Sequence, residues 1–273
     1  MADAVTAGRY VRGVMETIRV ERDGPILTVT IDRQDDDMNA VDGRLHHELC
    51  ELTRDLVTER DARAVVLTGA GRAFSAGGDM AWFPDLRDAQ RLHQLRREAK
   101  QIVWNLLDVE VPIVCALNGP AVGLGASIAL LCDVIVMADA ASIVDPHVQV
   151  GLVAGDGGAA IWPLLVGPLR AKRHLLLGEP LDAADALRLG VAAEVCSGDD
   201  LAATARRWAG RLAAQPPLAV QGTKTAVNAQ IKQALLTSFD VSTALEIGTF
   251  HSADHAEAVA AFTERRPGVY EGR

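Results

Sequence analysis

Apolar positions change their period several times along the chain, and each change predicts an element. Ile26–Ile31 (ILTVTI) is a run of β-branched and apolar residues entered through Asp23-Gly24-Pro25, a turn leading into a buried strand. Asp32–Asp37 is charged and reads as a loop. From Val41 to Glu59 the residues Leu45, Leu49, Leu52 and Leu56 keep close to helical spacing, which predicts a helix with one buried face. Ala64–Thr68 is a second short strand, followed by the turn Gly69–Gly71. Asp85–Leu107 predicts a charged helix, Ile113–Leu117 a strand, Ala126–Cys132 a helix and Val134–Ala138 another strand.

Strands that are apolar throughout and alternate with helices belong to a parallel sheet covered on both faces. The strand–turn–helix unit returns about every 40 to 50 residues, which permits a superhelical stack. Beyond Leu201 the pattern is helical only, with helices expected over Leu201–Ala214, Leu218–Ala234 and Ser238–His251 and a hinge at Gln215-Pro216-Pro217. Residues 1–205 are therefore expected to form an α/β core and residues 206–273 a helical subdomain. Apolar Val220, Val227, Ile231 and Leu235 give that subdomain a stripe that it should bury elsewhere.

Val111–Cys132 is 22 residues without a charge, long enough to span a bilayer. Pro112, Gly119 and Pro120 break it, so it reads as strand, glycine-rich turn and helix, and no membrane partner is expected. Met1–Gly13 lacks the apolar run of a secretion signal. Of the 273 residues 49% are hydrophobic and 23% charged, which excludes disorder as the main state. Lys and Arg number 27 and Asp and Glu 36, a net charge of −9 that lacks the footprint of a nucleic-acid binder. Cys50, Cys115, Cys132 and Cys196 follow no metal-binding spacing, and Cys115 and Cys132 lie in apolar runs as buried thiols. A reducing cytoplasm and no metal are expected.

Two glycine-rich loops carry candidate chemistry. Phe74-Ser75-Ala76-Gly77-Gly78-Asp79 and Asn118-Gly119-Pro120-Ala121-Val122-Gly123-Leu124-Gly125-Ala126-Ser127 each follow a strand and precede a helix. Bare amides at a helix start bind anions, and two such loops converging would form an oxyanion hole. Neither loop has the spacing of a nucleotide-phosphate motif. Taken singly, each loop could equally be simple turn chemistry, with Asp79 as a helix cap.

FSAGGD after AVVLTGAGRA, VPIVCALNGPAVGLGASIALLCDVIVMAD, and the C-terminal EAVAAFTERRP together resemble the enoyl-CoA hydratase/isomerase (crotonase) superfamily from Ile26 to Pro267. The resemblance implies an α/β spiral of ββα turns with a helical C-terminal trimerisation subdomain, assembled as a homo-trimer or hexamer. It implies an acyl-CoA thioester as substrate, as in fatty acid metabolism, with no cofactor beyond the CoA that the substrate carries. It puts the two oxyanion donors at the backbone amides of Gly78 and Leu124. It puts CoA contacts at Ala76, Phe262, Arg265 and Arg266.

The acid–base residues depart from the family's hydratases, which carry two glutamates. Those positions hold Ser127 and His147 here. A serine hydroxyl does not titrate near neutrality; an imidazole does. Asp156, nine residues after His147, is the expected partner that orients it. A His with an Asp in the Gly-rich turn resembles the β-diketone hydrolases of the superfamily, such as oxocamphor hydrolase, and His46 and Glu246 match polar site residues of that branch. On residue type alone, His46 also suits a helix face, Glu246 a helix salt bridge, and Trp82 either a core or an acyl pocket. Three functions follow. The first is a hydratase-like lyase that adds water to an unsaturated acyl-CoA with His147 as base. The close second is a hydrolase that cleaves a C–C bond of a β-diketone or β-keto acyl-CoA with His147 and Asp156. The third is an acyl-CoA-binding protein without catalysis.

Overall fold

The computed structural model describes residues 15–273, so Met1–Gly13 lies outside the described residues. The chain opens with a hairpin of β1 (Ile18–Asp23) and β2 (Ile26–Ile31), joined through Gly24 at φ 56°. Strand β1 was not expected. Its alternation of buried and exposed residues marks an edge strand, and its charged residues Arg19, Glu21 and Arg22 hide it from a search for apolar runs.

Helix α1 (Gly43–Val57) follows, capped by the Asp42 carboxylate, which accepts from the amides of Arg44 and Leu45. Strand β3 (Ala64–Gly69) is next, then helix α2 (Ala89–Asp108), capped in the same way by Asp88. The one helix expected over 85–107 is thus a short 3-10 turn, Phe83–Arg87, followed by α2, because Asp88 takes the extended backbone of a cap. The uncharged stretch divides into β4 (Ile113–Leu117), the short β5 (Ala121–Val122) and α3 (Leu124–Leu130). No described helix is long and apolar enough to cross a membrane.

The chain continues through β6 (Val134–Ala138), β7 (Ser142–Val144), α4 (Gly158–Val166), α5 (Pro168–Leu177), β8 (Leu181–Asp182), α6 (Ala183–Arg188) and β9 (Glu194–Cys196). Helices α7 (Leu201–Ala213), α8 (Pro217–Thr249) and α9 (Ala253–Glu264) complete it.

Six strands form the main sheet in the order β1-β2-β3-β4-β6-β9; all neighbours are parallel except β1 and β2. A small second sheet has the order β5-β7-β8. The core is continuous across the main sheet: Leu27, Val29, Val65, Cys115 and Val136 are inaccessible to solvent, and Leu45, Leu49, Leu52 and Leu56 of α1 pack into it. Helix α7 covers the sheet through Leu201, Ala205 and Ala209. The two helices expected over 218–251 are one continuous helix, α8. No Gly or Pro separates them, and Leu235 and Phe239 are buried at the expected break. Cys132 is half-buried rather than buried, and all four cysteines are free.

Candidate active site

The glycine-rich loops meet beside the small sheet. Ser75 bridges to Ala121 and Val41 to Gly78, which ties the first loop to β5 and to the entry of α1. The Val41–Gly78 bridge is made by the Val41 amide on Gly77 O (2.7 Å) and the Asp79 amide on Val41 O (2.9 Å), so the Gly78 N–H takes no part in it. Leu124 is the first residue of α3, where an amide has no acceptor within the helix. Gly123 precedes it at φ 54°, a conformation that suits glycine, and a Cβ there would press on the His147 ring at 3.4 Å. Leu124 is buried in the core cluster and lines the cavity, and the departure from glycine keeps a backbone amide at this helix start.

Gly78 and Leu124 line one cavity of about 590 Å³, open mouth included, together with His147, Asp156, Glu246, His46 and Trp82. An exposed Arg96 and apolar Phe83, Leu86, Leu152 and Phe250 complete its wall. Six segments distant in sequence therefore converge on this cavity.

His147 opens the 3-10 turn that follows β7, and its imidazole is bracketed by carboxylates. Nδ1 meets Asp145 Oδ1 at 2.5 Å, and the His147 amide reaches the same oxygen at 3.4 Å. Nε2 lies 3.5 Å from Asp156 Oδ2 and 3.7 Å from Glu246 Oε1. The orienting carboxylate is thus Asp145, not Asp156 as the sequence suggested. Asp145 stands two residues before the histidine, close enough to fold back onto it, and the D-x-H spacing at a strand end was the available signal. Asp156 sits on the opposite nitrogen, beyond direct hydrogen-bond length, and accepts from the Ser127 hydroxyl at 3.4 Å. Ser127, buried behind Asp156, does not line the cavity.

Gly158 permits this packing: a Cβ there would lie 1.8 Å from Asp145 Oδ2. Asp145 is wholly buried and its Oδ2 has no hydrogen-bond partner among the described residues, so its contact with the His147 ring is made through Oδ1 alone.

Charge follows from burial. Burial alone disfavours imidazolium, but Asp145, Asp156 and Glu246 outweigh it and raise the His147 pKa well above 6.5. Burial, aided by Asp156 and Asp145 and opposed by His147, pushes Glu246 up to about 8. Burial also raises Asp156, against the pull of His147, the Gly158 amide and the Ser127 hydroxyl. The titrations of His147, Asp156 and Glu246 are therefore linked, each group's charge shifting the others. Asp145, His147 and Asp156 are also the one described trio whose ligand atoms lie close enough for a metal, within 4.8 Å. A cation bound there would compete with the proton on His147 Nδ1.

The other side of the cavity carries His46. Its Nδ1 lies 2.9 Å from Glu98 Oε2, and its ring lies 5.7 Å from that of Trp82. His47 does not face away: its Nδ1 lies 2.9 Å from the other Glu98 oxygen. Glu98 went unnoticed in the sequence, although it is a charge on the buried face of α2 alongside Ala99 and Ile102.

The proposed CoA contacts do not join the cavity. Ala76, Phe262, Arg265 and Arg266 are absent from its lining, Phe262 is 63% exposed, and the Arg266 guanidinium is paired with Glu257 and Glu264. Asp79 caps no helix and instead pairs with Arg33 at 2.9 Å.

The enoyl-CoA hydratase/isomerase family model matches residues 21–273, which include both glycine-rich loops and every cavity-lining residue named above. The chain belongs to the enoyl-CoA hydratase/isomerase family. Its fold is the α/β fold of the crotonases. The 1,2-epoxyphenylacetyl-CoA isomerase of Escherichia coli is 31% identical over 268 residues, 95% of this chain and all of that protein. An enoyl-CoA hydratase/isomerase of Mycobacterium paratuberculosis has a crystal structure that superposes with a TM-score of 0.85 at 40% identity, covering 89% of this chain and 97% of its own. A β-diketone hydrolase from the cyanobacterium Anabaena, solved with (S)-3-oxocyclohexyl acetic acid, superposes with a TM-score of 0.79 at 32% identity, covering 86% and 94%.

Proposed function

We propose that this member of the family hydrolyses a C–C bond between two carbonyl groups, in a β-diketone or a β-keto acyl thioester. The observation that carries it is the His147 imidazole, held by Asp145 at one nitrogen and flanked by Asp156 and Glu246 at the other, in the cavity lined by Gly78 and Leu124. The cluster takes a proton from water through His147 Nε2 or the carboxylates beside it. The hydroxide adds to one carbonyl, the C–C bond to the carbon between the carbonyls breaks, and its electron pair becomes an enolate on the second carbonyl. The amides of Gly78 and Leu124 stabilise that oxyanion. A proton returned from the cluster to the enolate carbon completes the turnover: diketone plus water gives a carboxylic acid and a ketone. Arg96 at the cavity wall suits a substrate with an acidic group.

Two further observations favour cleavage over hydration. Ser127 replaces one hydratase glutamate and lies outside the cavity. Arg266, one of the two C-terminal arginines expected to contact CoA, is paired with Glu257 and Glu264 of its own segment. The hydratase reading keeps one specific support: Glu246, pushed up to about 8, can give a proton while a neighbour takes one, the division of labour that adding water to a double bond requires.

Incubation in ¹⁸O-water with a 2,2-dialkyl cyclohexane-1,3-dione and, separately, with crotonyl-CoA separates the two. Cleavage predicts a ring-opened keto acid with one ¹⁸O in its new carboxylate. Hydration of crotonyl-CoA with the diketones untouched would overturn the proposal.

A further inference from the structure

Glu98 has no part in the chemistry above, yet it is a buried carboxylate between α1 and α2, whose contact is otherwise made of apolar side chains and two neutral hydrogen bonds, Cys50 to Gln101 and Asn105 to Thr53. Such a charge is costly unless fully paired. It is: Oε2 meets His46 Nδ1 at 2.9 Å, and Oε1 meets His47 Nδ1 and Gln94 Nε2, each at 2.9 Å. Burial pushes its pKa up, but the hydrogen bonds of His46, Gln94 and His47 prevail and hold it down to about 2. Glu98 is therefore a permanent anion.

An anion at Nδ1 forces the proton onto that nitrogen, which leaves Nε2 of a neutral His46 as a lone pair. Nε2 has no partner among the described residues, the residue is 2% exposed, and it lines the reaction cavity. His47 is different: its side chain is 54% exposed. Glu98 itself lines a second, polar cleft with Asp42, Asp85, Arg91 and Gln94. Trp82 and Leu95 line both spaces and form the partition between them. The His46–Glu98–His47 chain crosses that partition.

We infer that Glu98 is a positioning residue: it presents His46 Nε2 to the cavity as a second proton-accepting group facing the His147 cluster, and through the shared carboxylate it makes that group sense the protonation of solvent-exposed His47. A protonated His47 draws the carboxylate toward itself and weakens its hold on His46, so acid outside the cavity lowers the basicity of His46 inside. The other charged groups nearby are Glu51 and Arg54 on α1, Arg91, Arg96 and Arg97 on α2, and Asp42 and Asp85 in the outer cleft. His147, Asp156 and Glu246 line the same cavity as His46. The inference does not depend on which carbonyl reaction the cavity carries out.

Diethyl pyrocarbonate tests it without a substrate, because the reagent acylates only unprotonated imidazole nitrogen. Peptide mass spectrometry of the full-length folded protein gives the labelling rate of each histidine across pH. His46 should label in the wild type. In Glu98→Gln its half-reactive pH should fall by about one unit, a tenfold loss of proton affinity, as expected for removal of an adjacent opposite charge. Glu98→Asp should restore much of it. A residue serving helix packing alone would change the melting temperature and leave this profile where it was. If Glu98→Gln does not fold, His47→Gln, a change at an exposed side chain, decides: it should move the His46 profile upward. A His46 that reacts only after unfolding, or whose profile is the same in both variants, would overturn the inference. Neither result bears on the diketone experiment, so the two proposals fail separately.

Discussion

Replacing Glu246 by Gln removes a charge that the fold must bury and keeps the shape of the side chain. The folded carboxyl keeps its proton up to about 8, while an unfolded chain releases it near the ordinary glutamate value of 4.5. The folded state therefore binds more protons than the unfolded state across that window, and stability falls as pH rises through it. At about 1.4 kcal/mol for each pH unit, the whole window is worth about 5 kcal/mol. Gln does not titrate, so its own hydrogen-bonding cost is the same at every pH and the pH dependence isolates the charge. On this basis the stability of the variant relative to the wild type should increase by roughly 3 kcal/mol between about pH 5.5 and about pH 8.5. His147 loses a neighbouring carboxylate in the variant and gives back part of that gain, so an increase of at least about 1 kcal/mol is the working expectation. Urea unfolding of both proteins at matched concentration, at the two pH values, measures it. Parallel stability curves, with no widening between them, would refute the assignment of a buried, proton-holding carboxyl at this position.

His147→Ala should lose on the order of 10² to 10⁴ in kcat with little change in KM, since the amides of Gly78 and Leu124 are untouched; single-turnover kinetics on the substrate of the diketone experiment would check it. Asp145→Asn should lose on the order of 10² or more in kcat by releasing the Nδ1 proton, whereas Asp156→Asn should lose less, and equal losses would contradict the geometry. Gly158→Ala should cost about 1–3 kcal/mol and more in activity than in melting temperature, because the new methyl group displaces Asp145. Leu236, Val241 and Leu245 on α8, with Leu176 and Leu177 on α5, are all more than half exposed. Surfaces this apolar are normally covered, so light scattering should report a trimer or its multiple, and a stable monomer at micromolar concentration would contradict that.

The main sheet was legible because its strands are buried on both faces and so leave uninterrupted apolar runs. Ile26–Ile31, Ile113–Leu117 and Val134–Ala138 occupy the residues that their sequence predicts. What escaped were elements whose residues look polar or whose ends depend on tertiary contact. The edge strand Ile18–Asp23 alternates with charges, and the single helix Pro217–Thr249 is held straight at its middle by burial of Leu235 and Phe239. Within the site, loop glycines and a histidine at a vacated glutamate position could be found by spacing. The partner of that histidine could not be chosen by spacing alone. Asp145 and Asp156 are both near it, and only the course of the turn after β7 decides which nitrogen each one meets. Glu98 left a weaker signal, a carboxylate on the apolar stripe of a helix, whose meaning requires α1 to be packed against it.

The cavity thus has acid–base groups on two sides, built from opposite protonation tendencies. In one group burial raises the pKa of Asp156 and Glu246, the latter to about 8, and the neighbouring carboxylates raise that of His147. In the other, Glu98 is so well supplied with hydrogen bonds that it never holds a proton, and it fixes a histidine with a free lone pair. Hydrolytic C–C cleavage uses both tendencies in sequence: a group that accepts a proton as water attacks, and a group that still holds one when the enolate carbon must be quenched. The proton leaves water at the attacked carbonyl and arrives at the carbon released from it, the neighbouring atom, so a single cavity that holds both kinds of group can serve the two proton transfers in turn.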